Sequence, residues 1–214
     1  GLGPDLVSPA LRTLAGRGAS LAMGLRLRDL VREADGRVSA LVFAGETIPV
    51  PPEDRIVLAL PPAEVSRLTG LADLPSRYEP ILNLHVALAG PAQPRFVGLT
   101  GTLAQWVLVR GDHCSVTVSA AGRDAGDPAP VLADRIWREV RPALAALGFS
   151  VPEPLPHHRL VKEKRATLHQ GVGIERPRLP LPRGLAVAGD WVSDLPATLE
   201  SAAVSGREAV AHLF

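Results

Sequence analysis

The sequence predicts an α/β (α+β) fold, in which runs of β character interleave with a few helical patterns. Three observations carry this. Two strand-like runs, Leu27–Arg32 and Val38–Phe43, flank Asp35-Gly36, a strong hairpin turn signal. The apolar run Arg55–Leu60 (RIVLAL) stops at Pro61-Pro62 and gives way to helical spacing over Ala63–Leu71, with Pro62 near the first-turn position. Finally, Leu185–Ala188 (LAVA) reads as a short buried strand, followed by Gly189-Asp190-Trp191, a loop, and a helix from about Pro196 to His212.

Taken in order, Leu6–Ala15 has apolar residues at helical spacing and stops at Gly16, a candidate C-cap. Ala19–Met23 then reads as a short strand, ahead of the hairpin. Gly45–Pro52 is a turn leading to an edge segment, because Pro49, Pro51 and Pro52 exclude a central strand. The continuous apolar character of Arg55–Leu60 is that of a strand buried on both faces. Ile81–Leu88, Ala104–Val109 and Cys114–Ala120 follow as strands, the last two joined by a turn at Gly111-Asp112. Val131–Leu147 carries Leu132, Ile136, Val140, Ala143 and Leu147 on one helical stripe, with a kink or break expected near Arg141 because of Pro142. Arg159–His169 is a charged extended segment. The last helix is expected to bury Leu199, Ala203, Gly206, Val210 and Leu213 on one face.

Bulk properties exclude more than they assign. The 214 residues hold 23 Lys+Arg against 22 Asp+Glu, a formal charge of +1, with no basic stretch longer than Lys162–Arg165. That balance argues against an electrostatic nucleic-acid binder. Cys114 is the single cysteine, so neither an internal disulfide nor a cysteine-built metal site is available, and a reducing compartment is the default reading. No apolar run approaches the roughly 20 residues of a membrane-spanning helix. The start at Gly1-Leu2-Gly3-Pro4, without an initiator Met, reads as a processed chain or a piece of something longer.

The C-terminal strand–loop–helix is the sharpest candidate site. In open α/β sheets, ligands sit beyond the carboxyl ends of strands, where helix N-termini present N–H groups. Gly189 permits close backbone approach and Asp190 can accept hydrogen bonds from sugar hydroxyls. The bland alternative is an ordinary strand–helix unit with an Asp in its loop. Other residues point less far. Adjacent His157 and His158 face opposite sides of an extended chain, which argues against a shared metal. His85 reads as a satisfied core histidine ahead of a cavity-facing one, and Trp106 and Trp137 as core aromatics. Lys162, Glu163, Lys164 and Arg165 read as solvated charge, with a role beside a ligand as the alternative. Ser205 has no His/Asp constellation to make it a nucleophile.

The stretch Leu185–Gly206, LAVAGDWVSDLPATLESAAVSG, closely resembles the C-terminal flavin-contacting motif of the FAD-dependent amine oxidase and carotenoid desaturase superfamily. Gly18–Leu60, ending in VLALPP, is similar to that superfamily's β-meander and the strand closing its FAD domain. Arg95–Ala121 and Val161–Thr167 (VKEKRAT) look most like one branch, the squalene-associated FAD-dependent desaturases or hydroxysqualene dehydroxylases. The resemblance implies FAD as cofactor, with Gly189, Asp190 and Trp191 among its contacts. It also implies contacts from Leu195 and from the backbone of Pro196, Ala197, Thr198 and Leu199 beside the flavin N1/C2 carbonyl, and from Leu27, Leu60 and Pro61. A helix start there would favour the negative charge of a reduced flavin. Asp194 departs from the superfamily's usual Gly, and an Asp there is able to cap the helix.

On the same resemblance the architecture is a partial Rossmann-like FAD-binding domain with a β-meander, residues 1–75 and 171–214, with an inserted substrate domain of mixed sheet and helix over residues 76–170. The implied reaction is reductive dehydroxylation of hydroxysqualene to squalene in hopanoid biosynthesis. A carotenoid- or phytoene-type desaturase and an amine oxidase are the enzymatic alternatives, and a non-catalytic truncated remnant is the other. No catalytic side chain and no metal ligand is assigned. The superfamily's N-terminal GxGxxG, which cradles the pyrophosphate, is absent, so the chain resembles the carboxyl-terminal half of a longer enzyme and is expected to be inactive alone. The implied partners are an apolar isoprenoid and the N-terminal half of the same polypeptide. The implied location is cytoplasmic, with peripheral contact at the inner face of the membrane.

Overall fold

The computed structural model describes residues 2–88, 90, 93–173, 177 and 179–214. Its elements run α1 (Ser8–Gly16), β1 (Leu27–Arg32), β2 (Val38–Phe43), β3 (Thr47–Pro49), β4 (Ile56–Ala59), α2 (Pro62–Thr69) and β5 (Tyr78–Ala87). They continue with β6 (Arg95–Gly98), β7 (Trp106–Arg110), β8 (His113–Val118), α3 (Ala129–Ala146), β9 (His158–Leu168), β10 (Leu185–Ala188) and α4 (Leu199–Leu213). Two compact units result. The first comprises Gly1–Ala72, Arg178–Ala188 and Gly206–Phe214, the second Asp73–Pro177 and Gly189–Ser205.

In the first unit, β1, β2 and β3 form an antiparallel meander. The β1–β2 turn is set by Gly36, which takes a left-handed φ of 86° that glycine adopts without steric cost. A separate pair, β4 and β10, runs parallel, with Ile56 opposite Leu185 and Ala59 opposite Ala188. Ala186 and Ala188 pack against Ala209 and Leu213 of α4.

The second unit is built on a five-stranded antiparallel sheet of order β6-β7-β8-β5-β9. Strand alternation sends Leu82, Leu84, Val86, Cys114, Val116 and Val118 to one face. There they pack with Leu132, Ile136, Trp137, Val140 and Leu144 of α3 in the main core. Helix α3 continues through Pro142 to Ala146, so the expected break is absent. Buried Val140 and Leu144 on either side of the proline anchor both turns to the sheet, which offsets the lost backbone bond.

Several further expectations are corrected. Ala19–Met23 forms no strand, because it has no partner to pair with among the described residues and Leu21 and Met23 stay exposed. The first helix runs through Gly16, and the left-handed residue that follows is Gly18, at φ 81°. Strand β4 is not buried on both faces: only Leu58 is buried, since among the described residues the strand pairs on one side alone. Helix α4 starts at Leu199 rather than Pro196, and its buried stripe is Ser201, Ser205 and Ala209, with Leu199 and Val210 exposed. Trp137 is buried as expected, but Trp106 is 46% exposed on the sheet face opposite α3. His85 lies half-buried on that same open face rather than in the core. Lys162 is no solvated charge; its Nζ donates to the carbonyls of Ala125 and Asp127, tying β9 to the turn before α3.

Candidate functional site

The loop that follows β10 belongs to the second unit and is organised around its first residue. The Gly189 N–H donates to Ser205 Oγ at 2.9 Å, and that hydroxyl in turn donates to the carbonyls of Gly189 and Ala202, each at 2.9 Å. Ser205 is therefore a buried strut, with no nucleophilic role. The glycine is needed because the Trp191 ring lies against it: a Cβ at position 189 would sit 2.6 Å from Trp191 Nε1 and 2.8 Å from Cδ1. Trp191 itself is 1% exposed, so its indole is part of the packing.

At the other end of the loop, Thr198 caps α4. Its Oγ1 accepts from the Ser201 N–H at 3.2 Å while its own N–H donates to Ser201 Oγ at 3.0 Å, a reciprocal arrangement of the capping-box kind. This cap is Thr198, not Asp194, which is exposed. The Ala197 N–H is held by Gln170 Oε1 at 2.8 Å. Pro196 has no N–H, so of the four backbone positions Pro196–Leu199 only Leu199 has a donor not engaged by these side chains. Leu195 and Leu199 present exposed side chains beside this turn.

Two features of the loop suit a polar ligand. Ser193 Oγ is buried and has no hydrogen-bond partner among the described residues, an arrangement that a folded chain ordinarily avoids. Asp190 remains partly exposed, within electrostatic reach of Tyr78. The Tyr78 hydroxyl is pushed above its ordinary value, mainly by burial, with Arg165 opposing and Asp190 reinforcing the shift.

The remaining expected contacts lie in the first unit. Arg67 of α2 donates to the carbonyl of Leu27 at 2.9 Å and to that of Arg28, binding the start of β1 to α2. Pro61 is the N-cap residue of the same helix, and its carbonyl accepts from Glu64 and Val65. Leu27, Leu60 and Pro61 are thus gathered around α2, with the Leu27 carbonyl already engaged by an arginine. Sequence patterns alone did not single out Ser193, Gln170 or Tyr78. Among the described residues no group of three or more His, Cys, Asp or Glu is arranged to hold a metal.

Comparison with known proteins bears on what this loop serves. The family model described as flavin-containing amine oxidoreductase matches residues 7–213. A hydroxysqualene dehydroxylase of Rhodopseudomonas palustris is 36% identical over 98% of this chain and 50% of its own length. Hydroxysqualene dehydroxylases of Sinorhizobium fredii and Zymomonas mobilis are 33% and 31% identical, again over 50% of their lengths. The chain therefore spans about half the length of the curated relatives it matches. Among solved structures, a protein assigned as a protoporphyrinogen oxidase from Exiguobacterium superposes with a TM-score of 0.61 at 14% identity, over 95% of this chain and 50% of that one. A flavin-dependent halogenase from Brevundimonas gives 0.52 at 15% identity, over 97% and 40% respectively. These two likenesses establish the fold.

Proposed function

The chain belongs to the family of flavin-containing amine oxidoreductases, and on that premise we propose that it forms part of an FAD-dependent oxidoreductase acting on an isoprenoid lipid. The proposed reaction is reductive dehydroxylation of hydroxysqualene to squalene, in which a C–OH bond is replaced by C–H and water leaves, at the expense of two electrons and two protons. The observation that carries this reading is the 36% identity to a hydroxysqualene dehydroxylase across 98% of the chain. Bound FAD supplies the two-electron chemistry.

The residues of the loop fit such a group. Ser193 Oγ is a buried hydroxyl in need of a partner, and Asp190 is an accessible acceptor for ribityl hydroxyls. The α4 N-terminus adds a positive end that favours negative charge on a ligand. Gln170 and Ser201 hold the Ala197 and Thr198 N–H groups in place, so the turn is shaped before a ligand arrives. Gly189 and Trp191 set the entry of the loop by packing on each other. Leu27, Leu60 and Pro61 are proposed as contacts from the first unit.

Residues 1–75 and 171–214 are proposed to serve the cofactor and residues 76–170 the substrate. The glycine-rich pyrophosphate turn is assigned to the other half of a longer polypeptide, which leaves this chain inactive alone. The half-length match to the relatives and the one-sided pairing of β4 both support that assignment. Among the described residues no helix is long and apolar enough to cross a membrane, so access to a lipid substrate is proposed to be peripheral.

The test joins this chain to the unmatched half of the Rhodopseudomonas palustris relative and compares it with the chain alone. The joined protein is expected to purify yellow with FAD and, once reduced, to convert hydroxysqualene to squalene, whereas the chain alone does neither. A joined, folded protein that retains no flavin refutes the cofactor assignment. One that holds flavin but leaves hydroxysqualene unchanged refutes the substrate.

A further inference from the structure

Four of the chain's six histidines, His85, His113, His157 and His158, line one cavity of about 260 Å³ in the second unit. Sheet register brings His85 and His113 together. His85 on β5 stands directly opposite Ser115 on β8 and Arg159 on β9, while Ala87 stands opposite His113. Directly opposed residues share a face. These side chains therefore crowd the open face of the sheet, away from α3. The small side chain of Ala87 leaves the space between His113 and the start of β9 unfilled.

Two of these lining histidines meet Ser115, which stands behind them, in a triangle of polar atoms. His85 Nδ1 lies 3.1 Å from His113 Nε2 and 3.0 Å from Ser115 Oγ, and Ser115 Oγ lies 2.9 Å from His113 Nε2. The two rings stack with centroids 5.2 Å apart. Three hydrogen bonds need three donated protons. Ser115 supplies one, and the two ring nitrogens supply one more before two N–H groups face each other. The triangle is thus one proton short when neutral and self-repelling when both rings are charged. An acceptor placed over it removes the conflict, because it takes N–H from both rings and O–H from the serine together.

The surrounding charge selects an anion. Arg159 forms no ion pair among the described residues and lies beside His85, whose ionisation is disfavoured by burial first, then by His113 and by Arg159. Arg110 on β7 stands opposite His113. His157 also lines the cavity, the His158 Nδ1–H donates to the Pro156 carbonyl, and Asp112 is the one carboxylate among the described lining residues.

We propose that this cavity is a proton-gated oxyanion site, taking a phosphate-class group on His85, His113, Ser115 and Arg159. The group is either a free anion or the end of a small phosphorylated molecule. Protonation of His85 adds a positive charge beside the anion and fixes an N–H on Nδ1 whichever tautomer the neutral ring holds. Affinity therefore falls as pH rises through the imidazole range, with Asp112 opposing and Arg110 and Arg159 supporting binding throughout.

Sulfate is the diagnostic probe, because it keeps its charge across that range and any pH dependence belongs to the protein. Calorimetric titration of the 214-residue chain is expected to show saturable sulfate and diphosphate binding near pH 6 that weakens about tenfold or more by about pH 8. Arg159→Gln should weaken binding at both pH values. His85→Gln, which keeps a neutral donor, should flatten the pH dependence while leaving residual binding. Arg138→Gln, on the exposed side of α3, should change neither. Geranyl diphosphate binding about tenfold tighter than diphosphate would identify a lipid-borne group, and equal affinities a free one. The proposal is overturned by absence of saturable binding at pH 6, by affinity independent of pH, or by wild-type behaviour of both site variants. Zn²⁺ binding lost in His85→Gln, with no anion binding, would overturn it in favour of a metal centre.

Discussion

Gly189→Ala separates two reasons for a glycine at the head of the loop. If the residue is small so that Trp191 can lie on it, the ligand-free protein must be sensitive to a methyl group there. The added Cβ would come 2.6 Å from Nε1 and 2.8 Å from Cδ1 of an indole that is 1% exposed. A buried ring with no room to swing cannot yield cheaply, and overpacking of this kind costs about 1–3 kcal/mol. For a chain of this size each kcal/mol lowers Tm by about 2–4 °C, so a midpoint of the range corresponds to a fall of about 4–8 °C. Thermal unfolding followed by near-ultraviolet circular dichroism reads both the shift and the environment of the indole. In the Trp191→Leu background the same methyl should cost little, because the atoms that clash are gone, giving a coupling energy comparable with the single-variant cost. A Gly189→Ala protein within about 0.5 kcal/mol of the parent would refute the packing account and leave ligand approach as the reason for the glycine.

Two further outcomes follow from groups nearby and in the sheet core. Ser205→Ala should destabilise the chain by about 1–3 kcal/mol in urea unfolding, because it strands the half-buried Gly189 N–H; a near-neutral effect would show that the strut is not needed. Burial pushes the Cys114 thiol from 9.0 up to about 11, so the native protein should not react with a disulfide reagent at about pH 8 until it is unfolded. Because the folded value is the raised one, stability should also decline above about pH 9, where the unfolded thiol ionises first; rapid native labelling would contradict the burial.

What could be read from the residues divides by the range of the interactions involved. The β1–β2 hairpin follows from Asp35-Gly36, and the switch from β4 to α2 from Pro61-Pro62, because turn and first-turn chemistry act over two or three residues. Strand β10 is likewise legible as an apolar run bounded by glycines. The face of α4 is not, because its buried residues are Ser201 and Ser205, held inside by hydrogen bonds to Thr198 and Gly189 rather than by apolar character. A hydrophobic stripe points away from such a face. Trp106 and His85 were misplaced for the opposite reason: residue type favoured the core, while alternation with Val107, Val109, Leu84 and Val86 assigns both to the open face. Strand β6, four residues long, exists by virtue of pairing with β7 and has no local signal of its own. In the candidate site, the loop bounds and its helix were legible from the AGD and Pro-Ala-Thr stretches. The roles of Ser193 and Gln170 depend on contacts that only the folded loop creates.

The parallel pairing of β4 with β10 has a kinetic consequence. The two strands are separated by more than a hundred residues of chain, and neither has a second partner among the described residues. A parallel strand cannot be delivered by a tight turn; it arrives only through a crossover or from a separate stretch of polypeptide, so closing the loop is slow compared with forming the β1–β2 hairpin. During synthesis Ile56–Ala59 leaves the ribosome long before Leu185–Ala188 exists to meet it. For that interval its backbone donors and acceptors are a row of adhesive sites, which makes this short strand the point where chaperone capture or mispairing competes most directly with folding.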